Sequence, residues 1–212
     1  MDAPRHPVAP ELPIAAPAGS LPATPEEVVD AVWTAIERGA DERWTAWGLP
    51  TLATTGPAGE PQARILALRG VERATRTLWF HTDRRSAKVS ALKRDARASV
   101  LFWSAGDAVE VRLDGTVSLH LGGPLADAAW DDASPLSRSA AAIALAPGTP
   151  LGAPTAFEAL VQEGVPAMAR SHFAAVAFVA DRLDWLWIGS GDLRRARFQW
   201  IGHDWNGGWV VP

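Results

Sequence analysis

The chain has 212 residues, 48% of them hydrophobic and 21% charged, an ordinary globular composition with enough apolar material for one well-buried domain. A formal net charge of −4 argues against nucleic acid or an anionic membrane as the main partner. With no cysteine, disulfides, thiol nucleophiles and cysteine-ligated metal are excluded, and the only lysines are Lys88 and Lys93 against a background of arginine. Nothing reads as a transmembrane span, and prolines interrupt the N-terminal segment where a signal peptide would need an apolar run, so a cytoplasmic protein is expected.

Residues 1–23, rich in proline and alanine, predict a flexible tail, with a single domain over 24–212. Thr24, Pro25 and Glu27 form a capping box, and Val28, Val32 and Ile36 with Trp33 make an apolar helical stripe that Gly39 is expected to stop. Strands are predicted over Leu49–Thr55 and Gln62–Arg69, joined by the turn Gly56-Pro57-Ala58-Gly59, with the first hairpin ending at Gly70. A strand at Leu78–Thr82, a short helix ended by Asp95 and a strand at Ala98–Trp103 follow. From Val109 to Leu121 apolar and polar residues alternate for more than ten positions, the pattern of a barrel wall.

A helical insert is expected at about 123–164, with starts at Pro124, Ser134-Pro135 and Thr155 with Glu158, and stops at Pro147-Gly148 and Gly164. Strands resume at Phe173–Val179, Arg182–Ile188 and Arg195–Ile201, and Asn206-Gly207 is read as the turn of a terminal hairpin. The overall class is mainly β with peripheral helices.

The stretch that concentrates chemistry runs from Arg64 to Lys88. Arg64 opens a short apolar strand and Arg69 closes it, and after Phe80 the chain turns polar through His81 and Thr82 to Ser86, a good helix N-cap, with Lys88 in the first helical turn. A cation there opposes the helix dipole by about 0.3–1 kcal/mol, and a bound anion reverses that sign. Helix amides, the Thr82 and Ser86 hydroxyls, Lys88 and Arg64 together suit a phosphate dianion, whereas the alternative is a solvated basic turn.

The segments RILALR (Arg64 to Arg69) and FHTDRRSAK (Phe80 to Lys88), with the C-terminal pattern Trp187, Arg197, Phe198, resemble the pyridoxamine 5′-phosphate oxidase-related FMN-binding family. The resemblance implies an FMN-binding split β-barrel, a homodimer with the flavin site at its interface, and a small-molecule substrate. By that resemblance Arg64, Thr82, Ser86 and Lys88 hold the FMN phosphate and ribityl chain. Ile65, Leu66 and His81 line the flavin, and Trp187 and Arg197 complete its ring side. Glu110 falls where the family has glutamine, a departure because a carboxylate cannot donate an amide hydrogen bond and repels phosphate.

On the substrate side Arg69 keeps a cation, and Arg195 is the second expected substrate contact. Leu193 and Arg195 replace an Arg-x-His pair, Trp130 stands for a tyrosine and Ser134 for an arginine, so the substrate is left unassigned. The implied function is an FMN-dependent oxidoreductase in which no side chain need act as acid or base. The alternatives are a flavin-binding protein without turnover and a reductase using a deazaflavin. The five histidines, from His6 to His203, show no metal-ligand spacing, and Ser137 and Ser139 lack a nearby histidine for a hydrolase triad.

Overall fold

The computed structural model describes residues 20–42, 44–155, 160, 167–189 and 192–212. The first nineteen residues, His6 among them, and Glu158 and Gly164 of the expected insert lie outside the described residues.

The capping box at Thr24 starts α1 (Pro25–Asp41): the Thr24 hydroxyl accepts from the Glu27 amide at 3.3 Å, and the Glu27 carboxylate accepts from the Ala23 amide at 2.7 Å. Val28, Val32, Trp33 and Ile36 are buried on one face, and Leu21, placed in the tail by composition, packs against the same core. Gly39 does not stop the helix. It lies inside α1 against the Trp47 backbone, where a Cβ would collide.

Nine strands form one antiparallel sheet: β1 (Thr51–Thr55), β2 (Pro61–Ile65), β3 (Leu68–Glu72), β4 (Thr77–Asp83), β5 (Arg97–Ser104), β6 (Val109–His120), β7 (Phe173–Ile188), β8 (Leu193–Trp200) and β9 (Trp205–Val210). The order is β2-β1-β5-β6-β7-β4-β3, with β8 also on β7 and β9 beyond it. The alternation over Val109–His120 makes β6 a single twelve-residue strand. Phe173–Ile188 is likewise one strand where two were expected. It pairs with β6 along its length while its free side goes first to β4 and then to β8. A bulge between Asp114 and Gly115 accommodates the change, and Gly115 lies so close to the Val179 carbonyl that no side chain fits there.

The predicted strand Gln62–Arg69 is broken: the Leu66 amide donates to Pro50 and the Leu68 amide to Gly48, and Leu68 begins a new pairing with β4, opposite Phe80. Gly70 is therefore inside β3, and the turn falls at Arg73–Arg76. Asn206 and Gly207 are also within a strand, β9, and the turn is at Gly202–Asp204, closed by the Ile201 amide on the Asp204 carbonyl. Gly207 is needed for the close approach of β9 to the Arg197 carbonyl.

Among the described residues, further helices flanking the sheet are α2 (Ala87–Arg94), α3 (Pro124–Asp131), α4 (Pro135–Ala141) and α5 (Ala167–His172). Among the described residues no helix is long and apolar enough to cross a membrane. The inner face of the sheet buries Leu52, Val100, Phe102, Val111, Leu113, Phe178 and Leu183 against α1 and α2, while α3 to α5 pack on the opposite side around Trp130 and Phe173.

Candidate functional site

Alternation along β4 and β2 divides the predicted residues between two faces. Thr82 follows Leu78 and Phe80 on the inner face, and Arg64 points inward with Leu52 and Thr54; its guanidinium donates to the Leu52 carbonyl (3.2 Å), the Thr54 hydroxyl (2.7 Å) and the Gln62 amide oxygen (3.2 Å). Every one of these acceptors is neutral. Lys88, from the first turn of α2, donates to the Thr82 hydroxyl at 3.0 Å. Burial lowers the Lys88 pKa, the nearby Arg64 guanidinium lowers it further, and only Asp83 opposes them. Burial likewise lowers the Arg64 pKa. Among the described residues, two partly desolvated cations thus share a neighbourhood without a carboxylate hydrogen-bonded to either.

Ser86 takes the N-cap backbone conformation of α2, but its hydroxyl caps nothing. It is 3% exposed and, among the described residues, has no hydrogen-bond partner. The first amides of α2 have no intrahelical acceptor either. A buried donor set of this kind costs stability unless an acceptor completes it, and a phosphate is such an acceptor. The FMN phosphate is therefore chemically compatible with the residues present.

The turn itself is built by Asp83 and Arg85. The Asp83 carboxylate accepts from the Arg85 amide (2.7 Å) and guanidinium (2.6 Å), and the same guanidinium donates to the Ile143 (2.9 Å) and Ala144 (2.8 Å) carbonyls of the insert. Arg84 is spent on the Ser171 carbonyl at 3.3 Å.

On the other face of β4, His81 meets the Phe173 ring edge-on with centroids 4.8 Å apart. The register shift between Leu68 and Gly70 leaves Arg69 in a bulge. Arg69, His81, Thr82 and Asp83 there form one wall of a cavity of about 470 Å³, and the insert from Leu136 to Leu151 forms the other. Leu66 is half-buried beside the core, whereas Ile65 is 64% exposed.

The remaining predicted residues stand elsewhere in the chain. Trp187 is on the inner face, packed with Ala196 and Phe198, its indole N–H without a partner among the described residues. Arg195 and Arg197 are on the outer face, where both donate to Asp184: Arg195 at 2.8 Å from Nε and Nη2, Arg197 at 2.9 Å from Nε. Arg112, a third arginine, adds a fourth bond to the same carboxylate at 3.0 Å. Asp184 was not singled out in the sequence, although a lone aspartate in the apolar run LDWLWI is the signal that marks it. Glu110 shares this outer face and acts on Arg195, away from Arg64 and Lys88, so its charge does not confront the phosphate position. Within one chain, then, Arg64, Thr82, Ser86 and Lys88 come together, Arg69 and His81 line the adjoining cavity, and Glu110, Arg195 and Arg197 form a separate outer group.

A family model described as pyridoxamine 5′-phosphate oxidase matches residues 40–164, more than half of the chain. A pyridoxine/pyridoxamine 5′-phosphate oxidase of Cyanothece sp. is 40% identical over 68 residues, 32% of this chain and 31% of that protein. Its counterpart in Alkalilimnicola ehrlichii is 38% identical over 81 residues, 38% of each chain, so the matches span 31% and 38% of these relatives' length. Among solved structures, a pyridoxamine 5′-phosphate oxidase-related FMN-binding protein of Nostoc punctiforme superposes with a TM-score of 0.69 at 22% identity, covering 86% of this chain and 96% of that one. PhzG from Burkholderia lata, solved with tetrahydrophenazine-1-carboxylic acid, gives 0.68 at 19% identity, covering 93% and 100%. These likenesses establish the split β-barrel with peripheral helices, and with the family match they show that the chain belongs to the pyridoxamine 5′-phosphate oxidase family.

Proposed function

We propose that the protein binds FMN and acts as an FMN-dependent oxidoreductase, with two copies forming a homodimer. The observation that carries this reading is the buried, unpartnered Ser86 hydroxyl beside Lys88 and Arg64, two cations whose acceptors are all neutral. Arg64, Thr82, Ser86, Lys88 and the first amides of α2 would hold the phosphate, and Leu66 and His81 would border the ring where the cavity begins. The flavin, when bound, supplies two-electron redox chemistry through its N5 position. The chain's own residues bind and orient it, and the insert excludes water from the cavity side. Trp187 and Arg197 face opposite sides of the sheet, so a flavin touching both would draw them from different subunits.

The test is FMN uptake. The protein is expected to bind FMN far more tightly than riboflavin, and Lys88→Ala and Arg64→Ala are each expected to weaken FMN by about tenfold or more, the worth of a charge-assisted hydrogen bond. Arg84→Ala, which removes only a bond to a carbonyl at the edge of the insert, should change affinity little. Equal affinity for riboflavin, or equal effects of all three substitutions, would refute the phosphate assignment. Bleaching of the bound flavin by a reduced donor under anaerobic conditions, with reoxidation in air, separates an oxidoreductase from a protein that only binds flavin.

A further inference from the structure

The turn at residues 83–86 stands between two parts of the molecule. On one side it starts α2, where the Ser86 hydroxyl, Lys88 and Arg64 form the phosphate position, and on the other it meets the insert. Arg85 joins the two. Its Nε and Nη2 hold the Asp83 carboxylate at 3.0 and 2.6 Å, while Nη1 donates to the Ala144 carbonyl at 2.8 Å and Nη2 to the Ile143 carbonyl at 2.9 Å. The pair is largely shielded from water, with side chains 21% and 11% exposed. The insert is otherwise lightly held. Its buried contacts are small, Ala133, Ala141 and Ala142 packing around Trp130, Phe173 and Ala169, and Leu136, Leu145 and Leu151 stay largely exposed. Arg138 binds the Asp131 carbonyl and Arg170 binds Asp127, so these two join helix to helix rather than insert to sheet. The two carbonyl bonds from Arg85 are therefore a sizeable part of what fixes the insert to β4.

Asp83 sets an electrostatic problem for that phosphate position. Its charge acts on Lys88, so an anion held by Lys88 feels the same carboxylate with the opposite sign. A bare carboxylate in a partly desolvated site repels a phosphate, whereas one paired with a guanidinium does so far less. We propose that Arg85 couples the phosphate position to the insert: the guanidinium that masks Asp83 from a bound phosphate also grips the Ile143 and Ala144 carbonyls. A phosphate at the start of α2 then steadies the insert, and by linkage a steadied insert favours the phosphate to the same extent. Arg85 acts here as a positioning residue, outside the donor set that holds the phosphate. The coupling rests on the phosphate half of the reading above and not on the flavin ring.

Backbone hydrogen exchange over residues 140–145 reads the insert, with FMN, riboflavin and inorganic phosphate as probes. Saturating FMN or inorganic phosphate is expected to slow exchange there about fivefold or more, the lower range of such couplings, and riboflavin to leave it unchanged. Arg85→Gln is expected to lose this protection and about fivefold in FMN affinity. Adding Asp83→Asn, which keeps an oxygen for the backbone amide of residue 85, is expected to restore the affinity but not the protection, because no charge then needs masking and no fork grips the insert. Arg85→Lys keeps the cation without the fork and is also expected to lose the protection, so the coupling remains testable if Arg85→Gln does not fold. Equal exchange with and without bound FMN, protection that survives in Arg85→Gln or Arg85→Lys, or an affinity loss that Asp83→Asn does not recover overturns the proposal. The two readings fail separately: no FMN uptake with protection by inorganic phosphate intact sinks only the flavin assignment, and FMN uptake without protection sinks only the coupling.

Discussion

Ser86 has the backbone of a helix cap, and its carbonyl accepts from Val89 and Ser90, but its hydroxyl caps nothing. A buried hydroxyl without a partner costs about 1–3 kcal/mol, so the flavin-free protein carries a penalty that a ligand oxygen relieves. Ser86→Ala removes that penalty. In scanning calorimetry the flavin-free variant is expected to melt at or slightly above the wild-type temperature, by about 2–4 °C per kcal/mol recovered for a chain of this size. FMN affinity should fall in the same variant. A lower melting point without FMN would mean that the hydroxyl caps α2 after all.

At the scale of elements, the outer face of β6, β7 and β8 is tied by Asp184. Burial raises its pKa, but hydrogen bonds and charge from Arg195 and Arg197 outweigh that and hold the carboxyl below its ordinary value of 3.8. A depressed folded value means that the stabilisation is fully present above the ordinary carboxylate range and is lost as pH falls through the folded value. With the arginines partly exposed, solvent screening keeps that stabilisation small. Wild-type stability should therefore fall relative to Asp184→Asn as pH drops from about 5, and parallel acid curves would show that the cluster contributes nothing.

Most elements were legible because their signals are local. The Thr24 box marks α1, and strict alternation marks β6. The differences share a cause, since Gly39, Gly70 and Gly207 carry the backbone freedom that marks a turn or a stop in sequence. Gly39 and Gly207 are instead present for closeness to a neighbour distant in sequence. The bulge that turns Arg69 into the cavity and the switch of β7 between partners are likewise set by pairing across the sheet. In the site, the RILALR and FHTDRRSAK segments contain the four residues, Arg64, Thr82, Ser86 and Lys88, that the fold brings together. Asp184 stayed hidden because its arginines come from two other strands.

For the whole molecule, the outer sheet face leaves Ile65 (64%) and Trp103 (47%) exposed, with half-buried Leu101 and Leu186 between the strands and the satisfied Asp184 cluster beside them. Apolar residues alongside pre-paired charges on a flat strand face suit a second copy of the chain. Sedimentation is expected to give twice the chain mass for the wild type and a monomer for Trp103→Glu, with loss of FMN affinity in the variant. A wild-type monomer with full FMN affinity would remove the dimer from the site.

The sixteen-residue strand β7 also has a consequence for how the protein is made. It supplies the second neighbour of both β4 and β6, yet it is made only after all of β1 to β6. Until then a nascent chain can form the hairpins of β1 with β2, β3 with β4 and β5 with β6, each with an apolar edge open. Closure waits on pairings such as Thr77 with Val179, about a hundred residues apart in sequence, so folding is expected to be slow and to wait for β7, and the open edges of β4 and β6 mark where a chaperone would engage.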